Sequence, residues 1–161
     1  MSGGTHDTLE DFDVAMKSHP HALVLVLVDA EKPMEYTGDR LDAAAKQLIS
    51  TQKGDFSSEP DEKQIHLMVQ LMEAWFFADL AAVKDCFPDL VERHLNVPNN
   101  VETVPKQDVL RKLKDTSRGR YSKSVHSHVI LAKLDPALVC SRAPFCQRLF
   151  SIIEQAIDSQ G

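Results

Sequence analysis

The sequence predicts a mixed α/β fold: a small, mostly parallel sheet layered by helices, with a helical C-terminal region. Three observations predict it. Ala22–Val28 is a continuous, β-branched apolar run, the pattern of a strand buried on both faces. Ile65–Leu71 (IHLMVQL), with His66 and Gln70 among apolar residues, is a second strand candidate. The segments flanking these runs repeat apolar residues at helical spacing.

In chain order, Leu9–Lys17 carries Leu9, Phe12 and Met16 on one helical face. Thr8 is its candidate cap and Ser18-His19-Pro20 its stop. The first strand, Ala22–Val28, ends abruptly at Asp29. Arg40–Ser50 is a modest helix candidate, and Lys53–Lys63, with Gly54 and Pro60, reads as a loop. After the second strand, Met72–Val83 is rich in Ala, Leu, Met and aromatic residues and predicts one helix. Pro88–Asn96 suggests a short helix, and Pro98–Val101 a turn. Lys106–Lys114 is helical, Ser117–Ser124 is a loop, and Val125–Leu134 and Pro136–Val139 are helical again. Pro144 suits the first turn of a last helix striped by Phe145, Leu149, Ile152, Ile153 and Ile157. Two strands make a marginal sheet, so a further strand, a second copy or a partner is expected to complete it.

The chain has 161 residues, 43% of them apolar, enough for one domain with a real core and too many for wholesale disorder. The three cysteines (Cys86, Cys140, Cys146) show neither a CxxC pair nor zinc-like spacing, which reads as reduced thiols in a cytoplasm. The N-terminus lacks the basic and apolar regions of a signal peptide, and no apolar run is long enough to cross a bilayer. A cytoplasmic protein with no membrane role is therefore expected. Net charge is −6, unevenly spread. Met1–Pro105 holds 8 basic and 19 acidic residues, whereas Lys106–Lys123 holds 7 basic and 2 acidic ones. That segment is either an anion-binding face or a solvated surface.

The best candidate chemistry is Asp29-Ala30-Glu31. A buried strand delivers both carboxylates to its C-terminal end, where open α/β sheets place their ligands. Residues two apart on an extended backbone point the same way, and paired hard oxygens suit Mg²⁺ or Mn²⁺. Helix capping and loop solvation are the ordinary alternatives. Glu73, between the second strand and Trp75-Phe76-Phe77, is either a helix-dipole partner or a third ligand. Asp79 is expected to close that helix. His66 and Gln70 alternate with apolar neighbours and face either the site or the core. Gly119–Lys123, followed by His126, gathers Arg120, Tyr121 and Lys123, a set suited to phosphate oxygens and a base. No phosphate-binding Gly-rich loop, dinucleotide fingerprint or Ser-His-Asp order stands out.

The blocks Leu25-Val-Leu-Val-Asp-Ala-Glu31, His66-Leu-Met-Val-Gln-Leu-Met-Glu-Ala-Trp-Phe-Phe-Ala-Asp79, Pro105-Lys106 and Gly119-Arg-Tyr-Ser-Lys-Ser-Val-His126 resemble a prokaryotic family catalogued as domain of unknown function 4276. They span most of the chain, and the Met-Val-Gln-x-Met-Glu-Ala-Trp block is the most specific. The resemblance implies a Toprim-like (Rossmannoid) fold, that of topoisomerases, primases and nucleases, including those of phage defence. Such domains hold Mg²⁺ with a glutamate after an early strand and an Asp-x-Asp-like motif after a later one. Asp29 and Glu31 match the later motif, with Glu in place of the second Asp. Glu73 matches the family's own later acidic position. Lys106, Tyr121, Lys123 and His126 match its C-terminal block.

The early strand and its glutamate are expected ahead of Ser2-Gly-Gly-Thr5, so the chain reads as short relative to the family. The resemblance implies metal-dependent phosphoryl transfer or nuclease-type chemistry on nucleic acid, in a defence or DNA-handling system. Asp29, Glu31 and Glu73 would be the metal ligands, and Lys106, Arg120 and Lys123 would position phosphates. Weak activity of the isolated chain and self-association are also expected. The rivals are a non-catalytic module that partners an ATPase and a hydrolase of small phosphoesters.

Overall fold

A computed structural model of the protein describes residues 5–30 and 60–159. Glu31, the Arg40–Ser50 helix candidate and most of the expected Lys53–Lys63 loop lie outside the described residues. The fold is mixed α/β. Helix α1 (Thr5–Ser18) precedes strand β1 (Val26–Ala30), and strand β2 (Ile65–Val69) follows a 3-10 turn at Glu62–Gln64. The two strands pair in parallel, with Val26 opposite Ile65, Asp29 opposite Met68 and Ala30 opposite Val69. Both expected strands are present. The first is displaced toward the C-terminus, so Asp29 lies within it rather than after it.

Strand alternation divides the core. Val26, Val28 and Ala30 of β1 and Ile65, Leu67 and Val69 of β2 pack with Leu9 and Phe12 of α1 and with Phe145. Leu27 and Met68, on the opposite face, pack against the larger helical cluster centred on Phe76, Phe77, Val83, Val101 and Leu113. Asp29 shares the parity of Leu27 and therefore belongs to the face that meets the helical body.

The expected Met72–Val83 helix is instead two elements. A 3-10 segment, Met72–Phe77, leads to Asp79, which starts helix α2 (Leu80–Cys86). Asp79 Oδ1 accepts from the backbone N–H groups of Ala81 at 3.1 Å and Ala82 at 3.2 Å. Its other oxygen accepts from Asp135 N–H at 2.9 Å. Asp79 thus opens a helix rather than closing one, because an aspartate oxygen satisfies N–H groups that the helix itself cannot.

Short 3-10 segments at Glu92–Leu95 and Val101–Thr103 lead to α3 (Lys106–Thr116). Helix α3 ends through Arg118 (φ 55°) and Gly119 (φ 81°). Gly119 N–H donates to Lys114 O at 2.7 Å, the left-handed turn that glycine closes without strain. The turn delivers Tyr121 and Lys123 to the start of α4 (Lys123–Leu131), two residues before the expected start. Helices α5 (Pro136–Arg142) and α6 (Pro144–Asp158) complete the chain, each with Pro in its first turn.

Candidate functional site

The C-terminal edge of the parallel pair gathers residues from four separate segments. Asp29 comes from β1, Glu73 from the 3-10 segment after β2, Lys106 from the start of α3 and Lys123 from the start of α4. Burial raises the Asp29 carboxyl above its ordinary value. The charges of Lys123 and Lys106 oppose that rise, and the charge of Glu73 adds to it. Asp29 therefore lies within electrostatic reach of all three.

Glu73 is fully buried and already held. Lys123 Nζ lies 3.1 Å from Glu73 Oε1, and Ser127 Oγ donates to the same oxygen at 3.3 Å. Ser127 and the Tyr121 hydroxyl are 2.9 Å apart. Burial, with Glu73 nearby, pushes the Tyr121 phenol up to about 12, so it stays protonated and able to donate. Lys123 and Ser127 lie one turn apart on α4, which brings both to one carboxylate.

Gln70, directly after β2, ties that strand's C-terminal end to the start of α3. Its Oε1 accepts from Lys106 N–H at 2.9 Å. A backbone N–H needs an acceptor, so this contact fixes which end of the amide is oxygen. The other end, Nε2, is buried and has no hydrogen-bond partner among the described residues. A buried N–H without an acceptor costs about 1–3 kcal/mol, so Nε2 favours an acceptor such as ordered water or a ligand oxygen.

The other expected site residues lie elsewhere. Arg120 donates to Ser117 O at 2.9 Å, pairs with Asp89 and lies over the Phe87 ring. His126 Nδ1 accepts from Ser122 N–H at 3.0 Å, and its ring meets Phe87 at 5.0 Å. These two residues brace the start of α4 around Phe87. His66 Nδ1 lies 3.1 Å from Arg148 Nη1, and its Nε2 lies 3.0 Å from Lys63 O. Glu31 lies outside the described residues.

Among the described residues no group of three His, Cys, Asp or Glu side chains is placed to hold a metal. Asp29 and Glu73 nevertheless fit a hard divalent cation. Mg²⁺ commonly takes one or two carboxylates and completes its shell with water and substrate phosphate. A carboxyl that burial and a like charge both disfavour is also one that a cation would stabilise.

A family model described as Domain of unknown function (DUF4276) matches residues 6–154. The chain belongs to that family. No curated protein and no solved structure matches it. In this DUF4276 chain, Asp29, Glu73, Lys106, Tyr121 and Lys123 come together, although 94 positions separate Asp29 from Lys123 in sequence. Sequence reasoning did not select Ser127, and it left Gln70 open between the site and the core. The four-residue spacing from Lys123 was the available signal for Ser127, and alternation along β2 for Gln70. No helix among the described residues of this DUF4276 chain is long and apolar enough to cross a membrane.

Proposed function

We propose that this edge is a Toprim-like site for divalent-metal-assisted phosphoryl chemistry on nucleic acid. The observation that carries the reading is the meeting of two carboxylates, Asp29 and Glu73, with two lysines, Lys106 and Lys123, at the C-terminal edge of a parallel strand pair. Asp29 and Glu73 would hold Mg²⁺ or Mn²⁺, with Glu31 as a third carboxylate. A bound cation supplies polarisation of a phosphoryl oxygen. Lys106 and Lys123 orient the phosphate, and the Gln70 amide is a further neutral donor. The Lys123 side chain is 60% exposed, so its ammonium can turn from Glu73 toward a phosphate oxygen.

One observation favours a second reading. Lys123 already neutralises Glu73, and both lysines act on Asp29, so the four charges balance without a metal. A balanced set suits a non-catalytic module, completed by a second copy or an ATPase partner, that holds phosphate without cutting. The deciding experiment is Mn²⁺ titration of the purified chain followed by cleavage of single-stranded and duplex DNA. Mn²⁺ binding that weakens in Asp29→Asn, with cleavage lost in the same variant, supports the enzyme. Tight DNA binding with no Mn²⁺ binding supports the module and sinks the metal reading.

A further inference from the structure

A cleft of about 590 Å³ runs along α3 beside the site, lined by Leu110, Arg111, Lys114, Ser122 and Lys123 among others. That volume falls within the range of pockets that enclose small organic ligands, ~300–1,000 Å³. Its charge is cationic: Arg111, Lys114 and Lys123 face Asp115 alone. Arg111 is partly committed to Asp108 at 2.6 Å. Lys114 is exposed and has no ion-pair partner among the described residues. The net charge of the whole chain is −6, so this positive cleft is a local feature and not part of a general basic surface.

Two features join the cleft to the carboxylate edge. Lys123 lines the cleft while its ammonium contacts Glu73, so both share one cation. Lys106, Leu110 and Lys114 follow one another at four-residue spacing, which sets them in one row along α3. That row carries charge from Lys114 to Lys106 over about 12 Å of helix.

We infer that this cleft is the groove for a single nucleic-acid strand, and that Lys114 holds a backbone phosphate next to the one at the carboxylate edge. The inference rests on the phosphodiester reading of that edge and adds to it the strand's path and a new contact residue. A strand presents charged phosphates beside less polar bases and sugars. The cleft matches this with the cations Arg111, Lys114 and Lys123 beside an apolar wall that includes Leu110. Tyr121 is only 4% exposed, so it is part of that wall and not a stacking platform. An acidic peptide would meet the same cations, but it lacks the flat, weakly polar bases that suit the apolar wall. A phosphodiester strand would use both halves: Asp29 and Glu73 would hold a divalent cation that offsets their charge, and the cleft cations would hold the next phosphate.

The test is fluorescence anisotropy of a short labelled oligothymidylate with the full chain, over a salt series at a fixed Ca²⁺ concentration, so that a hard cation is available to Asp29 and Glu73. Removing the cation that neutralises one phosphate of a single strand should lower the log–log salt slope by about 0.7. Lys114→Met is therefore expected to reduce the slope by about that amount. Lys133→Met, whose ammonium bonds Asp85 outside the cleft, should leave it unchanged. An unchanged slope in Lys114→Met overturns the inference, as does absence of binding by the unaltered chain. Competition by duplex DNA or polyglutamate equal to that by the strand also overturns it. A parallel Mn²⁺ titration separates the two claims. Mn²⁺ binding with no effect of Lys114→Met sinks the cleft alone, and a slope change without Mn²⁺ binding sinks the metal reading alone.

Discussion

Lys123 and Glu73 form a pair with unequal surroundings: the carboxylate side chain is 0% exposed and the ammonium side chain 60%. Removing the lysine would leave a buried carboxylate whose remaining donors among the described residues are hydroxyls. Lys123→Met is expected to destabilise the fold by about 1–3 kcal/mol, toward the lower end because the ammonium itself stays in water. Adding Glu73→Gln should recover part of that loss. A double-mutant cycle by urea unfolding should give a coupling of about 1 kcal/mol. A coupling near zero would make the pair incidental.

Asp79 has a purely architectural role. It caps α2 through Oδ1 and ties α2 to the start of α5 through Oδ2. Asp79→Ala is expected to cost about 2 kcal/mol, from removal of the cap and of the second hydrogen bond together. Asp79→Asn, which keeps a capping oxygen, should cost less. Mn²⁺ affinity should be unchanged in the Asn variant. A stable Ala variant with weakened Mn²⁺ binding would move Asp79 into the site.

The first strand was legible because its run is short, continuous, β-branched and apolar, the second from apolar residues interrupted by His66 and Gln70, and their parallel pairing fits the helices that cover both faces. The split at Asp79 was not legible. Met72–Val83 has the composition of one helix, and the chain breaks there because Asp79 caps Ala81 and Ala82 and also accepts from the distant Asp135 N–H. Asp29 and Glu73 stand out in the sequence as acidic residues beside apolar runs; the structure sets Asp29 inside β1 and Glu73 in the 3-10 segment after β2. Arg120 read as a phosphate contact because Gly-Arg-Tyr-x-Lys is a good donor cluster. Asp89, 31 residues upstream, engages it instead, and a local pattern cannot see such a contact. Lys114 was one of seven cations in a basic segment, and only the fold sets it beside Lys123.

Gln70 offers a test that separates stability from function. Gln70→Met removes the acceptor for Lys106 N–H but also removes the unpaired buried NH₂. The first change costs stability and the second returns it, and Lys106 lies at an exposed helix end where water can replace the missing acceptor. The expected change in unfolding free energy is within about 1 kcal/mol, together with clearly weaker oligonucleotide binding. A loss of several kcal/mol with binding per folded molecule unchanged would make Gln70 a structural residue.

Two buried groups should shape the pH dependence in opposite directions. Burial raises Glu102 to about 7 from an ordinary 4.5, although Phe145 N–H, Trp75 Nε1–H and Cys146 N–H all donate to it. Burial, and then Arg148, lowers His66 to about 4 from 6.5. The folded state thus holds more protons at Glu102 than the unfolded chain does, so that contribution is full below pH 4.5 and is lost as pH rises through about 7. It holds fewer at His66, so that contribution is full above pH 6.5 and is lost as pH falls through about 4. Between pH 4.5 and 6.5 the two slopes oppose each other. Glu102→Gln should therefore expose the His66 slope, with stability falling more steeply on acidification than in the unaltered chain. His66→Gln should do the reverse, with stability rising relative to the unaltered chain as pH drops from about 7 to 4.5. Urea unfolding across that range reads both slopes. Equal slopes in all three proteins would mean that neither group titrates differently on folding, and Glu102 would then be an ordinary carboxylate at the start of α6.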